Sequence, residues 1–223
     1  MSIAIIIPAA GTGSRFGGQL PKQFQQLAGK ALIQHVIERF ILEEDVSRVI
    51  VPIAEALLPS VKNGERVIWV AGGETRQQSV MRGMAEVQDA ELIAVHDAAR
   101  PLFSVDTFHA VIAAAREFGA ALPVVPVTDT IHVMNNDAMV ADTLDRTMLA
   151  AAQTPQCFRA DILREILTRA QRDGITGTDE AGLAARFSYP VKAVPGDPRN
   201  LKITVPEDLA IAESYLQQWS SQA

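Results

Sequence analysis

The chain has 223 residues, 48% of them apolar and 21% charged, which suits one large domain or two small ones and excludes a disordered chain. Twenty-six acidic residues outweigh 20 basic ones for a net charge of −6, which excludes a protein that coats nucleic acid through bulk charge. Cys157 is the only cysteine, so an internal disulfide is impossible, a cysteine zinc cage is not expected, and a reducing compartment is. The apolar start, Ile3–Ala10, has no basic flank and is too short to span a bilayer. A soluble, cytoplasmic protein with no membrane or nucleic-acid partner is expected.

Ser2–Pro8 is a continuous apolar run rich in β-branched residues and reads as a strand buried on both faces. Gly11, Gly13, Gly17 and Gly18 then interrupt regular structure. Ala31–Glu43 carries helical apolar spacing at Leu32, Val36 and Phe40 and at Ile33, Ile37 and Ile41. Arg48–Ile53 reads as a strand with Pro52 at its end, and Arg66–Ala71 as another. Thr75-Arg-Gln-Gln78 matches a capping box and predicts a helix running toward Val87. Glu91–His96 is a strand. Ser104 caps a helix ending before Gly119, and Ala120–Val127 is a strand. Asn135-Asn-Asp137 is a turn between extended pieces at Thr130–Met134 and Met139–Leu144, a hairpin projecting from the domain. Asp161–Arg172 and Thr178–Phe187 read as helices and Pro190–Val194 as a strand. Thr204-Val-Pro-Glu207 reads as a second capping box, opening a helix through Trp219.

This alternation predicts one α/β domain over residues 1–223: a Rossmann-like three-layer α/β/α sandwich with a mostly parallel central sheet and a protruding β-hairpin arm. Ligands in such sheets bind beyond the carboxyl ends of the strands, which puts the Gly11 loop, Asp97 and the Gly72-Gly73 turn along one rim. A lone hairpin is marginal in water. Residues 128–150 hold Ile131, Val133, Met139, Val140 and Leu144, apolar groups that exchange of arms about a two-fold axis would bury, so this arm predicts a homodimer.

The first 37 residues contain no acid but hold Arg15, Lys22 and Lys30, leaving −9 for the remainder. Cations beside a glycine turn suit a strongly anionic ligand. Pro8-Ala-Ala-Gly-Thr-Gly-Ser-Arg15 lets backbone amides approach phosphate oxygens. It is not a dinucleotide fingerprint, because Phe16 stands where the third glycine belongs and no carboxylate follows until Glu38. It lacks the Gly-Lys-Ser/Thr of a Walker A loop. Lys22, in Pro21-Lys22-Gln23, lies close enough in sequence to fold back beside Arg15. Together they could hold a triphosphate and neutralise charge developing on leaving pyrophosphate.

These two segments, with His96-Asp-Ala-Ala-Arg-Pro101, resemble the 2-C-methyl-D-erythritol 4-phosphate cytidylyltransferase family. Thr178-Asp-Glu-Ala181 and Asn200-Leu-Lys-Ile-Thr204 extend the resemblance almost to the C-terminus. It implies that CTP and methylerythritol phosphate give the cytidine diphosphate ester and pyrophosphate, in non-mevalonate isoprenoid synthesis. It further implies that the Ala9, Ala10 and Gly11 backbone and Arg15 hold the nucleotide phosphates, and that Lys22 stabilises pentavalent phosphorus. On the same resemblance, Gly73 and Ser79 are expected to help read cytosine, and Asp97 to bind Mg²⁺ near the substrate. The resemblance also implies that Arg100, Thr130, Thr178 and Lys202 contact the sugar phosphate, and that Arg146 and Thr154 join the same pocket, Arg146 from a partner subunit's arm. Arg15, Lys22, Lys202 and Asp97 are the catalytic set it implies.

Plainer readings stand beside these. Asp97 also fits a simple ion pair with Arg100, His96 a structural histidine, and Arg76 a helix-start residue without a chemical role. Asp179-Glu180 suits a helix N-terminus. Alternative activities are a ribitol 5-phosphate cytidylyltransferase, a sugar-nucleotide pyrophosphorylase, and a non-catalytic nucleotide-binding subunit. Phe24, Glu74 and Gly17-Gly18 depart from the family pattern and bear on loop mobility and base recognition.

Overall fold

A computed structural model of the chain describes residues 2–11, 16 and 21–220. Strand β1 (Ile3–Ile6) has all four residues buried, as its unbroken apolar run requires. A short ladder of β2 (Gln26–Leu27) and β3 (Lys30–Ala31) leads into α1 (Leu32–Ile41). Next come β4 (Val46–Ile53), β5 (Val67–Ala71), α2 (Arg76–Ala85), β6 (Leu92–Val95), α3 (Val105–Phe118) and β7 (Ala120–Pro126). The hairpin is β8 (His132–Met134) and β9 (Val140–Thr143). The chain continues through β10 (Ala150–Ala152), β11 (Gln156–Arg159), α4 (Ala160–Arg172), α5 (Glu180–Arg186), β12 (Lys192–Pro195) and α6 (Glu207–Ser220).

The large sheet runs β12-β7-β11-β6-β1-β4-β5, with β10 beside the far end of β7. β1 pairs in parallel with both β4 and β6. The exception to parallel order is the β10–β11 segment, antiparallel to its neighbours. The mostly parallel Rossmann-like sandwich expected from the sequence is therefore the fold.

Side-chain alternation along β1 divides the core into two layers. Ile3, Ile5 and Ile7 pack with Val36, Ile37 and Phe40 of α1 and Phe108, Val111 and Ile112 of α3. Ala4 and Ile6 face Val80 and Met84 of α2, Leu163 and Ile166 of α4 and Leu183 of α5. Helix α6 closes a third cluster around Leu27, Leu102 and Ile203. No helix among the described residues is long and apolar enough to cross a membrane.

Local signals mark most element ends. Thr75 Oγ1 accepts from the Gln78 amide, and Gln78 Oε1 accepts from the Thr75 amide, the reciprocal capping box expected at α2. Ser104 Oγ accepts from Thr107 N–H at the start of α3, and Gly119, at φ +89°, ends that helix in the left-handed conformation open to glycine. Pro52 is next to last in β4, beyond the end of β1.

Two local expectations are corrected, and two strands form where the sequence reading has none. Strands β10 and β11 carry no strand signal of their own. An Ala-Ala-Ala segment favours helix, and Gln-Cys-Phe-Arg is short and polar-ended. Their conformation comes from pairing with β7, and for β11 also with β6. Helix α5 begins at Glu180 rather than Thr178, because Asp179 Oδ1 accepts the Gly182 amide at 2.8 Å and caps it. The box expected at Thr204–Glu207 is not made. Asp208 Oδ2 reaches back to the amides of Thr204 (2.6 Å) and Val205 (3.0 Å), while the Thr204 hydroxyl donates to the Lys202 carbonyl.

Candidate active site

β1 and β6 are parallel neighbours at the centre of the sheet. The chain leaves β1 toward β4 and leaves β6 toward β7, in opposite directions along the sheet. A crevice opens at such a switch point, beyond the carboxyl ends of the strands. One cleft there is lined by Ala9, Ala10, Gly11, Lys22, Gly73, Ser79, Asp97 and Lys202. A second, adjoining pocket shares Asp97 and Lys202 with it and adds Arg100, Thr154 and Thr178.

The Ala9–Gly11 segment is tied down from below. The Ala9 amide donates to the Pro52 carbonyl at 2.8 Å. The buried Gln23 amide donates to the carbonyls of Ala9 (2.5 Å) and Gly11 (3.2 Å). Ala9, expected to present its backbone to phosphate, is thus spent on anchoring. The amides of Ala10 and Gly11 have no acceptor among the described residues. Gly72 and Gly73 owe their identity to close approach: a Cβ on Gly72 would stand 2.4 Å from Ala10 Cβ, and one on Gly73 2.3 Å from Gln78 Cβ. Ser79 Oγ accepts from the Gly73 amide at 3.0 Å and donates to the Thr75 carbonyl at 3.0 Å, so it holds the turn in place. Arg15 lies outside the described residues.

Asp97 is the electrostatic centre. Its Oδ2 lies 2.9 Å from Lys202 Nζ and 3.5 Å from Arg100 Nε, and its Oδ1 lies 3.4 Å from Arg76 Nε. Burial alone would raise its pKa, but Arg76, Lys202 and Arg100 outweigh burial and hold the carboxyl well below the usual range. The ion pair with Arg100 is present, as the plainer reading had it, but it is one of three. Arg100 also donates to the carbonyls of Asn200 (2.7 Å) and Ala152 (3.3 Å), so most of its fork is used in clamping the end of β10 and the segment before α6.

His96 is fully buried and its ring nitrogens meet Thr154 Oγ1 (3.1 Å) and the Arg100 carbonyl (3.0 Å). Since Thr154 Oγ1 accepts the Asp97 amide at 3.0 Å, its proton is free to go to His96 Nδ1, leaving Nε2–H to donate to Arg100. His96 is the structural histidine of the plainer reading. Thr154 lines the second pocket, but its hydroxyl serves this chain of bonds.

Burial pushes the His96 pKa down to about 4 from an ordinary 6.5. The unfolded chain therefore binds a proton at a pH where the folded one does not, and stability is full above pH 6.5 and falls as pH drops toward 4. Urea unfolding in metal-free buffer should show a loss of about 3 kcal/mol across that window. His96→Asn should flatten that part of the curve, and an unchanged slope would remove His96 as its source.

Thr130 and Arg146 lie on the exposed arm, outside the lining of both pockets; Arg146 Nη1 donates to the Thr128 carbonyl. Nothing in the sequence pairs Arg76 with Glu180. Arg76 Nη1 meets Glu180 Oε1 at 2.7 Å across 104 residues of sequence, and Arg76 lines both pockets. Its place in a capping box concealed that its side chain turns inward.

No group of three or more His, Cys, Asp or Glu side chains among the described residues is arranged to hold a metal. Asp97 Oδ1, with one protein contact at 3.4 Å, nonetheless fits Mg²⁺ of the kind held by a single carboxylate together with substrate phosphates and water.

Fixed cations beside Ala9–Gly11, at the switch point of a mostly parallel sheet, suit a nucleotidyltransferase. The profile of the 2-C-methyl-D-erythritol 4-phosphate cytidylyltransferase family matches residues 3–218, and the chain belongs to that family. It is 38% identical to the enzyme of that name from Solibacter usitatus, over 98% of this chain and 97% of the relative. It is 39% identical to the one from Symbiobacterium thermophilum, over 99% and 95%. The crystal structure of the 2-C-methyl-D-erythritol 4-phosphate cytidylyltransferase from Thermus thermophilus superposes with a TM-score of 0.84 at 34% identity, covering 97% of this chain and all of that one.

Proposed function

We propose that the chain catalyses the reaction of CTP with 2-C-methyl-D-erythritol 4-phosphate to give 4-diphosphocytidyl-2-C-methyl-D-erythritol and pyrophosphate, the cytidylyl step of non-mevalonate isoprenoid synthesis. The observation that carries this reading is the Asp97–Lys202 pair at the junction of the two pockets. CTP occupies the cleft beside the glycine turn, with its phosphates on the Ala10 and Gly11 amides, Arg15 and Lys22, and its base near Gly73 and Ser79. The sugar phosphate occupies the second pocket, near Arg100, Thr178 and Lys202.

A phosphate oxygen of the sugar phosphate bonds to the α-phosphorus of CTP, and the bond from that phosphorus to the bridging oxygen of pyrophosphate breaks. Two anions must meet, so the residues act by positioning and by neutralising charge. Lys202 draws in the attacking phosphate, while Lys22 and Arg15 stabilise the five-coordinate phosphorus and the leaving group. Mg²⁺, held by Asp97 and the CTP phosphates, would add cationic charge at the same place. No general base is required, since a phosphate monoester is largely doubly ionised at neutral pH. Cys157 is fully buried, which drives its thiol pKa far up, and it takes no part. A reducing, cytoplasmic setting suits a chain with one cysteine.

The arm at 128–150 serves as a dimerisation element that carries Thr130 and Arg146 to the partner's pocket. Support comes from its exposed apolar groups: Met139 is 64%, Val140 57% and Met148 83% exposed. Sedimentation at micromolar protein should show a dimer, and Arg146→Ala should mainly raise KM for the sugar phosphate. A monomer, or an unchanged KM, would remove the arm from the site. The reaction itself is tested by pyrophosphate release with Mg²⁺ and CTP, comparing methylerythritol phosphate with ribitol 5-phosphate. Turnover of the first is expected, and faster turnover of ribitol phosphate would reassign the substrate.

A further inference from the structure

Glu180 is 1% exposed and its carboxylate lies at the inner end of a row of alternating charges. Glu180 Oε1 meets Arg76 Nη1 at 2.7 Å, Arg76 Nε meets Asp97 Oδ1 at 3.4 Å, and Asp97 Oδ2 meets Lys202 Nζ at 2.9 Å. Glu180 and the half-buried Arg76 are both aimed by backbone devices. Arg76 is the first residue of α2, behind the Thr75 capping box. Glu180 is the first residue of α5, whose start is fixed twice by Gln156 of β11. Gln156 Oε1 accepts the Ala181 amide at 2.9 Å, and its Nε2 donates to Asp179 Oδ2 at 2.8 Å.

Stability alone is a poor reason for this pair. Burying two charges costs several kcal/mol, repaid only when the remaining donors and acceptors are satisfied. Here Arg76 Nη2 and Glu180 Oε2 are buried with no partner among the described residues. The geometry has a different consequence. Arg76 offers a planar fork that would close on a carboxylate with two parallel bonds. Glu180 takes one arm of that fork, and Asp97 receives a single long contact.

We propose that Glu180 and Arg76 are positioning residues for the reaction: Glu180 holds the guanidinium partly off Asp97, so that Asp97 keeps an oxygen for Lys202 and fixes its ammonium where the two pockets join. Without Glu180, Arg76 turns onto Asp97 and displaces Lys202 from its partner. The proposal rests on the cytidylyltransferase reading above. It adds two residues that act through Asp97 and Lys202, Glu180 from outside the lining of both pockets.

The test is steady-state pyrophosphate release by the full chain, with CTP, methylerythritol phosphate and Mg²⁺. Glu180→Gln should lower kcat about 10- to 100-fold, the scale of a misplaced catalytic group, and leave KM for CTP within about threefold, since ground-state nucleotide binding is untouched. Arg76→Lys keeps the charge but has no planar fork to span two carboxylates, and should give the same split. The double variant should be no slower than the slower single variant, because both changes break one row. If Glu180→Gln lacks a cooperative melt, Arg76→Lys decides. Folded variants with wild-type kcat, a loss confined to KM for CTP, or additive losses would overturn the proposal. An inactive wild-type chain would overturn the reading of the reaction and this proposal with it; an active wild type with unaffected variants would overturn the proposal alone.

Discussion

Lys202→Ala should lower kcat by about 100- to 1,000-fold, the usual loss on deleting a group that stabilises transition-state charge in a preorganised site. Its ammonium lies 2.9 Å from Asp97, at the boundary of both pockets. That is where an incoming phosphate must be brought against an α-phosphate that repels it. Folding should survive the change. The Lys202 side chain is 42% exposed, and Asp97 retains Arg76 and Arg100. The segment carrying Lys202 is held by other groups: the Ile203 amide donates to the Ala99 carbonyl at 2.9 Å, and buried Asn200 donates to the Thr154 carbonyl at 2.8 Å. Lys22→Ala, on the nucleotide side of the cleft, should behave alike. Pyrophosphate release read beside a thermal melt checks both variants. A folded Lys202 variant turning over at the wild-type rate would move the reacting atoms elsewhere.

The second large effect is expected of Asp97→Asn, and it differs in kind. Asp97 is enclosed by three cations, and the amide leaves Arg100 and Lys202 with no anion and Arg76 with Glu180 alone. Breaking a buried charge cluster by removing one partner costs about 3–5 kcal/mol. The urea midpoint should drop accordingly, with activity lost as well. The sign against pH is definite. The folded carboxyl titrates below its ordinary 3.8, so the wild-type advantage is fully present above about pH 4 and is lost as pH falls further. Equal midpoints at neutral pH would mean that the cluster adds nothing to the fold.

The two variants separate roles that a single carboxylate–ammonium contact combines. Lys202 meets solvent and is available to a ligand, so its removal is a matter of rate. Asp97 is buried beneath it and organises the cations, so its removal is a matter of stability first. Arg100 belongs with Asp97 in this respect, because its guanidinium ties the Asn200 and Ala152 carbonyls to the turn after β6.

Much of this arrangement is legible in sequence because it is local. The apolar run at Ile3–Ile6 can only be a strand buried on both faces, and the 3.6-residue spacing along α1 can only place one face on a core. Gly73, the Thr75 box, Ser104 and Gly119 act within a few residues of themselves, and each does in the fold what its chemistry implies. The rim carrying Ala9–Gly11 and Asp97 follows from strand alternation and the switch-point rule. The motifs on that rim are also those of the family to which the chain belongs.

Tertiary structure decided the remainder. Gln156–Arg159 is a strand because β6 and β7 stand on either side of it, and Ala150–Ala152 because β7 offers it an edge. Neither partner is encoded in those residues. The Glu180–Arg76–Asp97–Lys202 row joins α5, α2, the turn after β6 and the segment before α6, its first two members 104 positions apart in sequence. Period and propensity act over a helical turn or a strand, whereas the energy of two charges depends on their separation and on the water between them. Those two quantities exist only after the sheet order has been set and the core has closed.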